Sequence, residues 1–312
     1  MPKPRILFMG TPQFAVPALE GLVRGGYPLI GVVTQPDRPQ GRGRGLAPPP
    51  VKLAAQTLGL TILQPERVRT PDFLETFRSL SPDVVVVAAF GQILPTEIIR
   101  GPRSGCINIH PSLLPKYRGA APINWALIRG ETTTGVTIMR MDEGVDSGDI
   151  LLQEETVIGS QETFGELHDR LAALGARLLL EALALREAGT LRPRPQEHRL
   201  ATLAPRLGPG DGLISWNADA RAIAALVRGL SPTPAAYTFL GGRKLKVFTA
   251  AAETAPATAA PGTVTGETAA GLRVAAGQGH LLIGELQIEG KKRLAARDFL
   301  RGIRIMPGEV LG

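Results

Sequence analysis

Apolar and polar positions along the first 160 residues follow one repeating pattern. Short runs that are apolar on both faces (RILFMG, LIGVVT, DVVVVAAFG) alternate with helically spaced segments at Phe14 to Val23, Val51 to Leu58 and Leu94 to Ile99. Strands apolar on both faces are what a parallel sheet covered by helices requires, so this part predicts a doubly wound, Rossmann-like α/β domain. Cys106 to His110, Val136 to Met141 and Ile150 to Val157 add three strand candidates. A long helix then opens at Thr163, where Thr163 and Glu166 have capping-box spacing. Leu167, Leu171, Leu174, Leu178 and Leu185 keep to one face until Gly189.

The pattern changes after residue 189. Residues 190–208 are rich in proline, arginine and glycine with no periodicity, which predicts an extended linker. Ala218 to Val227 has helical spacing. Short strand candidates follow: AAYTFL and RKLKVF around Gly241-Gly242, then GTVT, GLRVA and HLLIGELQI. Regular short strands with a Gly-Gly hairpin predict a small antiparallel β-barrel, OB-like in size, and the Ala/Pro/Thr-rich stretch from Ala250 to Gly262 reads as a loop. The expected organisation is therefore an α/β domain over 1–189, a linker over 190–208 and a barrel over 209–312.

Charge sharpens this division. Residues 1–190 hold 19 Lys and Arg against 19 Asp and Glu, whereas residues 191–312 hold 16 against 9, so the whole net charge of +7 resides in the second part. A small module with that excess has the footprint of a polyanion-binding domain. The longest apolar run, Val84 to Phe90, falls far short of the roughly 20 residues that cross a membrane. The apolar run near the N-terminus is cut off at Thr11-Pro12, so neither a membrane span nor export is expected. Cys106 is the one cysteine, which forbids an internal disulfide, and His110, His168, His198 and His280 show no metal-ligand spacing. A cytoplasmic protein with metal-free chemistry is the expectation.

The chemistry concentrates in GCINIHPSLLPKYRGAAP, from Gly105 to Pro122. Asn108 and His110 stand two apart on a predicted strand, so both side chains point to one side, and Pro111 keeps His110 extended at the strand's C-terminal edge. Open α/β sheets bind ligands at that edge. An amide and an imidazole converging there can hold the oxyanion formed when an amine attacks an acyl carbon. The acidic turn MDEGVDSGDI offers Asp142, Glu143, Asp146 and Asp149, and Asp146, between two glycines, is best placed to approach His110 and relay the amine's proton. Spacing alone leaves a second reading open, in which Asn108 and His110 merely satisfy each other.

NIHPSLLPKYRGAAPINWA followed by TGVTIMRMDEGVDSGDIL closely resembles the folate-dependent formyltransferase family. The resemblance implies catalytic roles for Asn108, His110 and Asp146, a folate-lining segment at Ser112, Leu113, Leu114 and Pro115, and 10-formyltetrahydrofolate as the formyl donor. It also implies that the reaction needs no metal and forms no covalent intermediate. Members that act on glycinamide ribonucleotide look like the first domain alone. Here, LISWNADARAIAALVRGLSPTPAAYT and GELQIEGKKRLAARDFL resemble the C-terminal domain of the family's tRNA-acting branch, so the resemblance covers nearly the whole chain. The implied acceptor is methionine carried on initiator tRNA.

The basic Pro/Gly-rich loop from Thr34 to Lys52 is similar to the loop with which that branch probes the acceptor end, with Arg42 matching its first arginine. Arg38, Arg44 and Lys52 are further phosphate candidates, although Arg44-Gly45 replaces the family's frequent lysine pair. Lys291, Lys292 and Arg293 fall in a predicted turn of the second module as positioning contacts to phosphate. A monomer is expected. A nicotinamide-dependent oxidoreductase is disfavoured, because no G-x-G-x-x-G follows the first strand. A non-catalytic RNA-binding module is disfavoured because Asn108, His110 and Asp146 are all present.

Overall fold

The computed structural model describes residues 3–40 and 45–312. In chain order, its first part runs β1 (Ile6–Gly10), α1 (Val16–Arg24), β2 (Leu29–Val33), β3 (Arg38–Gln40), β4 (Gly45–Ala47), α2 (Pro50–Thr57), β5 (Ile62–Leu63), α3 (Pro71–Leu80), β6 (Val84–Ala88), α4 (Thr96–Arg100) and β7 (Cys106–His110). There follow α5 (Pro122–Ile128), β8 (Thr133–Arg140), β9 (Ile150–Val157) and α6 (Phe164–Glu187). The remainder is α7 (Ala220–Leu230), β10 (Ala236–Leu240), β11 (Arg243–Glu253), β12 (Val264–Thr268), β13 (Gly271–Ala275), β14 (His280–Ile288), β15 (Leu294–Ala295) and α8 (Ala296–Gly302).

Two compact units result. The first comprises the chain up to Gly119 with Thr133–Val157 and His168–Ala204; the second comprises Ala120–Thr132, Ile158–Leu167 and Pro205–Gly312. Their borders cross the sequence more than once. The segment containing α5 belongs to the second unit, although it lies within the motif that carries the chemistry, and most of the expected linker belongs to the first.

The first unit is built on a seven-stranded sheet of order β5-β2-β1-β6-β7-β8-β9. The first five strands in that order are parallel, whereas β8 runs antiparallel to β7 and β9 antiparallel to β8. The sheet is thus mixed, with the expected parallel core and an antiparallel edge. A run such as Val136 to Met141 reveals a buried strand but not its direction, which depends on the path of the preceding connection. Leu7, Met9, Val85, Val87 and Cys106 alternate onto one face and pack with Phe73 and Phe77 of α3 and Ile98 and Ile99 of α4. On α6, Gly175 lies where an added Cβ would be 2.7 Å from Ile109 Cγ2 of β7 and 3.5 Å from Val136 Cγ1 of β8, so its bare backbone allows the helix to approach the sheet. Burial of Cys106 among apolar neighbours pushes its thiol up, far from thiolate chemistry, which agrees with a packing role.

Two further elements lie outside the expected ones. α3 places Phe73, Leu74, Phe77 and Leu80 at helical spacing against the core, and β3 and β4 pair antiparallel within the loop at 34–52.

In the second unit the strand order is β10-β11-β14-β13-β12, with β15 paired to β14. All these pairings are antiparallel. Ile223, Val227 and Leu230 of α7 pack in one apolar cluster with Leu245, Val247, Ile283 and Leu286. Asp219 caps α7, its carboxylate accepting the Arg221 N–H at 2.7 Å. The Gly241-Gly242 turn has φ of +54° and +74°, the left-handed pair that a two-residue hairpin between β10 and β11 requires. β11 extends to Glu253, which pairs with His280, so the first part of the expected loop at 250–262 is strand. The expected capping box at α6 forms, with the Thr163 N–H donating to Glu166 Oε2 at 2.8 Å and the Glu166 N–H to Thr163 Oγ1 at 3.4 Å. Among the described residues no helix is long and apolar enough to cross a membrane.

Gly175→Ala tests the contact of α6 with the sheet. Alanine gains about 1 kcal/mol of helix propensity, but overpacking Ile109 costs about 1–3 kcal/mol. The expected outcome is a net loss of stability in urea titration; a gain sinks the close-approach account.

Candidate active site

β7 ends where the parallel strands present their C-terminal edge, and its alternation delivers Asn108 and His110 to one side. The antiparallel ladder sets Asn108 opposite Met139 and His110 opposite Thr137. Both polar side chains are buried, at 9% and 3% exposure. Burial at this level demands hydrogen-bond partners, and most of them come from other segments.

The central partner is Asp146. Asn108 Nδ2 lies 3.4 Å from Asp146 Oδ1, and His110 Nδ1 lies 3.6 Å from Asp146 Oδ2. The Gly119 N–H donates to the same Oδ2 at 2.9 Å. One carboxylate thus gathers donors from the strand and from the loop after it. The other acidic side chains of the turn are engaged elsewhere: Glu143 pairs with Arg100 at 2.6 Å, Asp149 lies 4.0 Å from Arg140, and Asp142 accepts from Ser147 Oγ at 2.8 Å. Asp146 reaches its position with φ +47°, the left-handed region that non-glycine residues avoid. Gly148 is needed two residues on, because a Cβ there would sit 2.0 Å from the Arg140 carbonyl oxygen.

His110 Nε2 lies 2.9 Å from the Tyr117 carbonyl oxygen. Both ring nitrogens therefore face oxygen acceptors. A doubly protonated ring donates at both ends, while a neutral ring leaves one nitrogen lone pair against an oxygen. The contacts of 3.4 and 3.6 Å to Asp146 are longer than good hydrogen bonds, whereas His110 Nε2 is held at 2.9 Å from the Tyr117 carbonyl oxygen.

Ser112, Leu113, Leu114 and Pro115 form the turn leaving β7. Ser112 and Leu114 are buried, and the Ser112 hydroxyl donates to the Lys116 carbonyl at 2.7 Å. Leu113 and Pro115 are half-buried, so they are the side chains of this segment with surface to offer. Thr137 pins the turn: its hydroxyl donates to the Ser112 carbonyl at 2.7 Å and accepts from the Leu114 N–H at 3.2 Å. Gln153 Nε2 reaches both Thr137 Oγ1 and the Leu114 carbonyl, at 2.8 and 2.9 Å.

The predicted basic residues are dispersed. Arg42 and Arg44 lie outside the described residues. Arg38 Nη2 stands 3.4 Å from Glu66, with both side chains exposed. Lys52 is held by Asp37, its ammonium 2.8 Å from each carboxylate oxygen. Arg293 pairs with Glu285 and lies over the Phe248 ring, 4.4 Å from its centroid, whereas Lys291 and Lys292 are exposed. An open cleft of about 530 Å³, which the sequence did not announce, lies along the loops after β2, β5 and β6, lined by Gln35, Arg67, Arg69, Gln92 and Ile93 among others. Gln196, also unannounced, donates to the Asp146 carbonyl at 2.9 Å from a stretch without any periodic signal. Among the described residues no cluster of three or more His, Cys, Asp or Glu side chains has metal-binding geometry.

A buried Asn and His and a half-buried Asp converge at the C-terminal edge of a mixed α/β sheet, and comparison with known proteins gives the chain a family. Residues 4–183 match the formyl transferase family and residues 206–304 match the formyl transferase C-terminal domain, so the chain belongs to the formyl transferase family. It is 56% identical over 312 residues to the methionyl-tRNA formyltransferase of Syntrophus aciditrophicus, covering 100% of both chains. It is 52% identical to the methionyl-tRNA formyltransferase of Citrifermentans bemidjiense, covering 99% of this chain and 96% of that one. A crystal structure of HypX from Aquifex aeolicus in complex with tetrahydrofolic acid superposes with a TM-score of 0.63 at 18% identity, over 96% of this chain and 47% of HypX. The chain therefore spans about half the length of HypX, and that likeness concerns the fold alone.

Hydrogen bonds from Gln64 and Lys52 hold the Asp37 carboxyl below its ordinary value. A lowered folded value means that the pair contributes stability above the ordinary aspartate range and loses it as pH falls through the lower value. The Asp37 carboxyl carbon, followed by NMR, is expected to titrate below that range, and Gln64→Ala to raise the midpoint. A midpoint already at the ordinary aspartate value removes this account.

Proposed function

We propose that this chain transfers the formyl group of 10-formyltetrahydrofolate to the α-amino group of methionine carried on initiator tRNA. The observation that carries the reading is the convergence of Asn108 and His110 on Asp146, in a chain that matches enzymes named methionyl-tRNA formyltransferase over their full length. HypX, which shares the fold and was crystallised in complex with tetrahydrofolic acid, supports a folate as donor.

In this reading the neutral amine attacks the formyl carbon, forming a new C–N bond and placing negative charge on the formyl oxygen. Asn108 Nδ2, an amide with a second N–H to offer, and the His110 ring stabilise that oxyanion. Asp146 accepts the proton released by the attacking nitrogen. The intermediate collapses with cleavage of the bond between the formyl carbon and N10, and the proton passes to N10 as tetrahydrofolate leaves. No group of the protein becomes covalently attached.

Ser112, Leu113, Leu114 and Pro115 line the folate side in this reading, with Leu113 and Pro115 offering surface and the buried Ser112 and Leu114 fixing the turn. Residues 1–189 carry catalysis. Residues 209–312, an OB-like barrel that follows residues 190–208, meet the tRNA, and their 12 Lys and Arg against 8 Asp and Glu support that role. Arg38, Arg42, Arg44 and Lys52 face the acceptor end, and Lys291, Lys292 and Arg293 contact phosphates. Of these, Arg38, Lys52 and Arg293 already hold carboxylate partners, so they reach RNA only by exchanging them. A monomeric cytoplasmic enzyme completes the reading.

Formyl transfer to initiator methionyl-tRNA, elongator methionyl-tRNA and glycinamide ribonucleotide, assayed in parallel, is expected to favour the first strongly. Transfer to glycinamide ribonucleotide alone overturns the reading of the C-terminal module and leaves the chemistry standing. Asn108→Ala and Asp146→Ala should each lower kcat by about 10² to 10³ in protein that still folds; near-full activity in either removes that residue from the mechanism. Arg42→Ala should raise the KM for tRNA more than that for folate. An unchanged tRNA KM excludes Arg42 from binding.

A further inference from the structure

Residues 194–204 fall in the stretch expected as a linker, yet they are bonded along their length to the two segments that build the site. At one end, the Arg194 N–H and carbonyl exchange hydrogen bonds with those of Ile150, both at 2.9 Å. Gln196, only 5% exposed, then spends its whole side chain: Nε2 donates to the carbonyls of Asp146 at 2.9 Å and Gly148 at 2.7 Å, while Oε1 accepts from Arg118 Nη2 at 2.6 Å. At the other end, Thr202 Oγ1 accepts the Tyr117 N–H at 2.8 Å, the Thr202 carbonyl accepts the Arg118 N–H at 2.8 Å, and the Ala204 N–H donates to the Arg118 carbonyl at 2.7 Å.

These anchors fall on strained backbone. Asp146 and Tyr117 are non-glycine residues with φ of +47° and +61°, conformations that persist only where surrounding bonds enforce them. Each touches His110: Asp146 through its carboxylate and Tyr117 through its carbonyl. Between the anchors, Gly119 donates to Asp146 while its own bare Cα faces the strap, where a Cβ would lie 2.7 Å from the Ala204 carbonyl oxygen.

We infer that residues 194–204 are a strap, and that its Gln196 and Thr202 are positioning residues that hold Asp146 and Tyr117 in left-handed conformations and thereby orient the Asp146 carboxylate and the His110 ring. The inference rests on the reading of Asn108, His110 and Asp146 as the transfer centre. Gln196 suits the task because a carboxamide is the side chain that donates twice and accepts at once. Glutamate at this position cannot donate to two carbonyls, and alanine leaves them bare.

The test compares Gln196→Ala, Thr202→Val, Thr202→Ser and Asp146→Asn in the formyl-transfer assay. Gln196→Ala and Thr202→Val should lower kcat by about ten- to a hundredfold, the size expected when a reacting group is misplaced by a fraction of an ångström to an ångström. The KM of both substrates should change by less than about threefold. Thr202→Ser, which keeps the hydroxyl, should restore the wild-type rate. Gln196→Ala added to Asp146→Asn should cause no further loss, since both act through one carboxylate. Thr202 is exposed, so its two variants remain informative even where Gln196→Ala fails to fold.

A second readout needs no activity: the ring nitrogen signals of His110, identified by their absence in His110→Gln, should shift in Thr202→Val and not in Thr202→Ser. Wild-type protein without transfer activity, or Asp146→Asn at the wild-type rate, refutes the transfer reading, and the His110 signals then judge the strap alone. Active wild type and inactive Asp146→Asn, together with Thr202→Val at the wild-type rate or His110 signals unmoved, overturn the strap.

Discussion

A carboxylate largely withdrawn from water needs donors to converge on it. Asp146 supplies that carboxylate here, and it draws together Asn108 and His110 from β7 and the Gly119 amide from the following loop. It is also held by a residue in the left-handed region, so the carboxylate sits where the turn puts it rather than where its own backbone preference lies. The neighbouring backbone adapts to this demand: Gly148 allows the turn to pass against Arg140, and Gly119 allows the loop to approach Ala204. The site is a knot of three chain segments around one side chain.

The antiparallel edge of the sheet gives the knot a rigid neighbour. With β8 antiparallel to β7, Thr137 comes opposite His110, and its one oxygen uses every hydrogen-bonding capacity it has. It donates to Ser112 and accepts from Leu114 and Gln153. The turn from Ser112 to Pro115 is consequently set by a hydroxyl on the next strand. A parallel strand in place of β8 would present a different register to the same turn, so the departure from an all-parallel sheet bears directly on the site.

Charge counted from the sequence overstates what is free to meet a polyanion. Lys52 is spent on Asp37, Arg38 faces Glu66, and Arg293 is engaged by Glu285 and the Phe248 ring. Surface pairs of this kind are weak and exchangeable, so they set a local competition for phosphate rather than a barrier to it. Lys291 and Lys292 are exposed.

Much of this protein is legible in local chemistry. The βαβ rhythm, the capping box at Thr163, the Gly241-Gly242 hairpin and the buried Asn108 and His110 on one side of β7 all follow from periodicities and residue types that act within a few positions. Asp146 could be singled out from its acidic neighbours by its flanking glycines, because close approach needs bare backbone. The tertiary structure alone decided the rest: the direction of β8 and β9, the placement of α5 in the second unit and the docking of residues 194–204 beside the site. Those features depend on partners far away in sequence. A proline- and arginine-rich stretch has no periodicity of its own, and its glutamine acquires a role only when two carbonyls some 50 residues earlier fold into its reach.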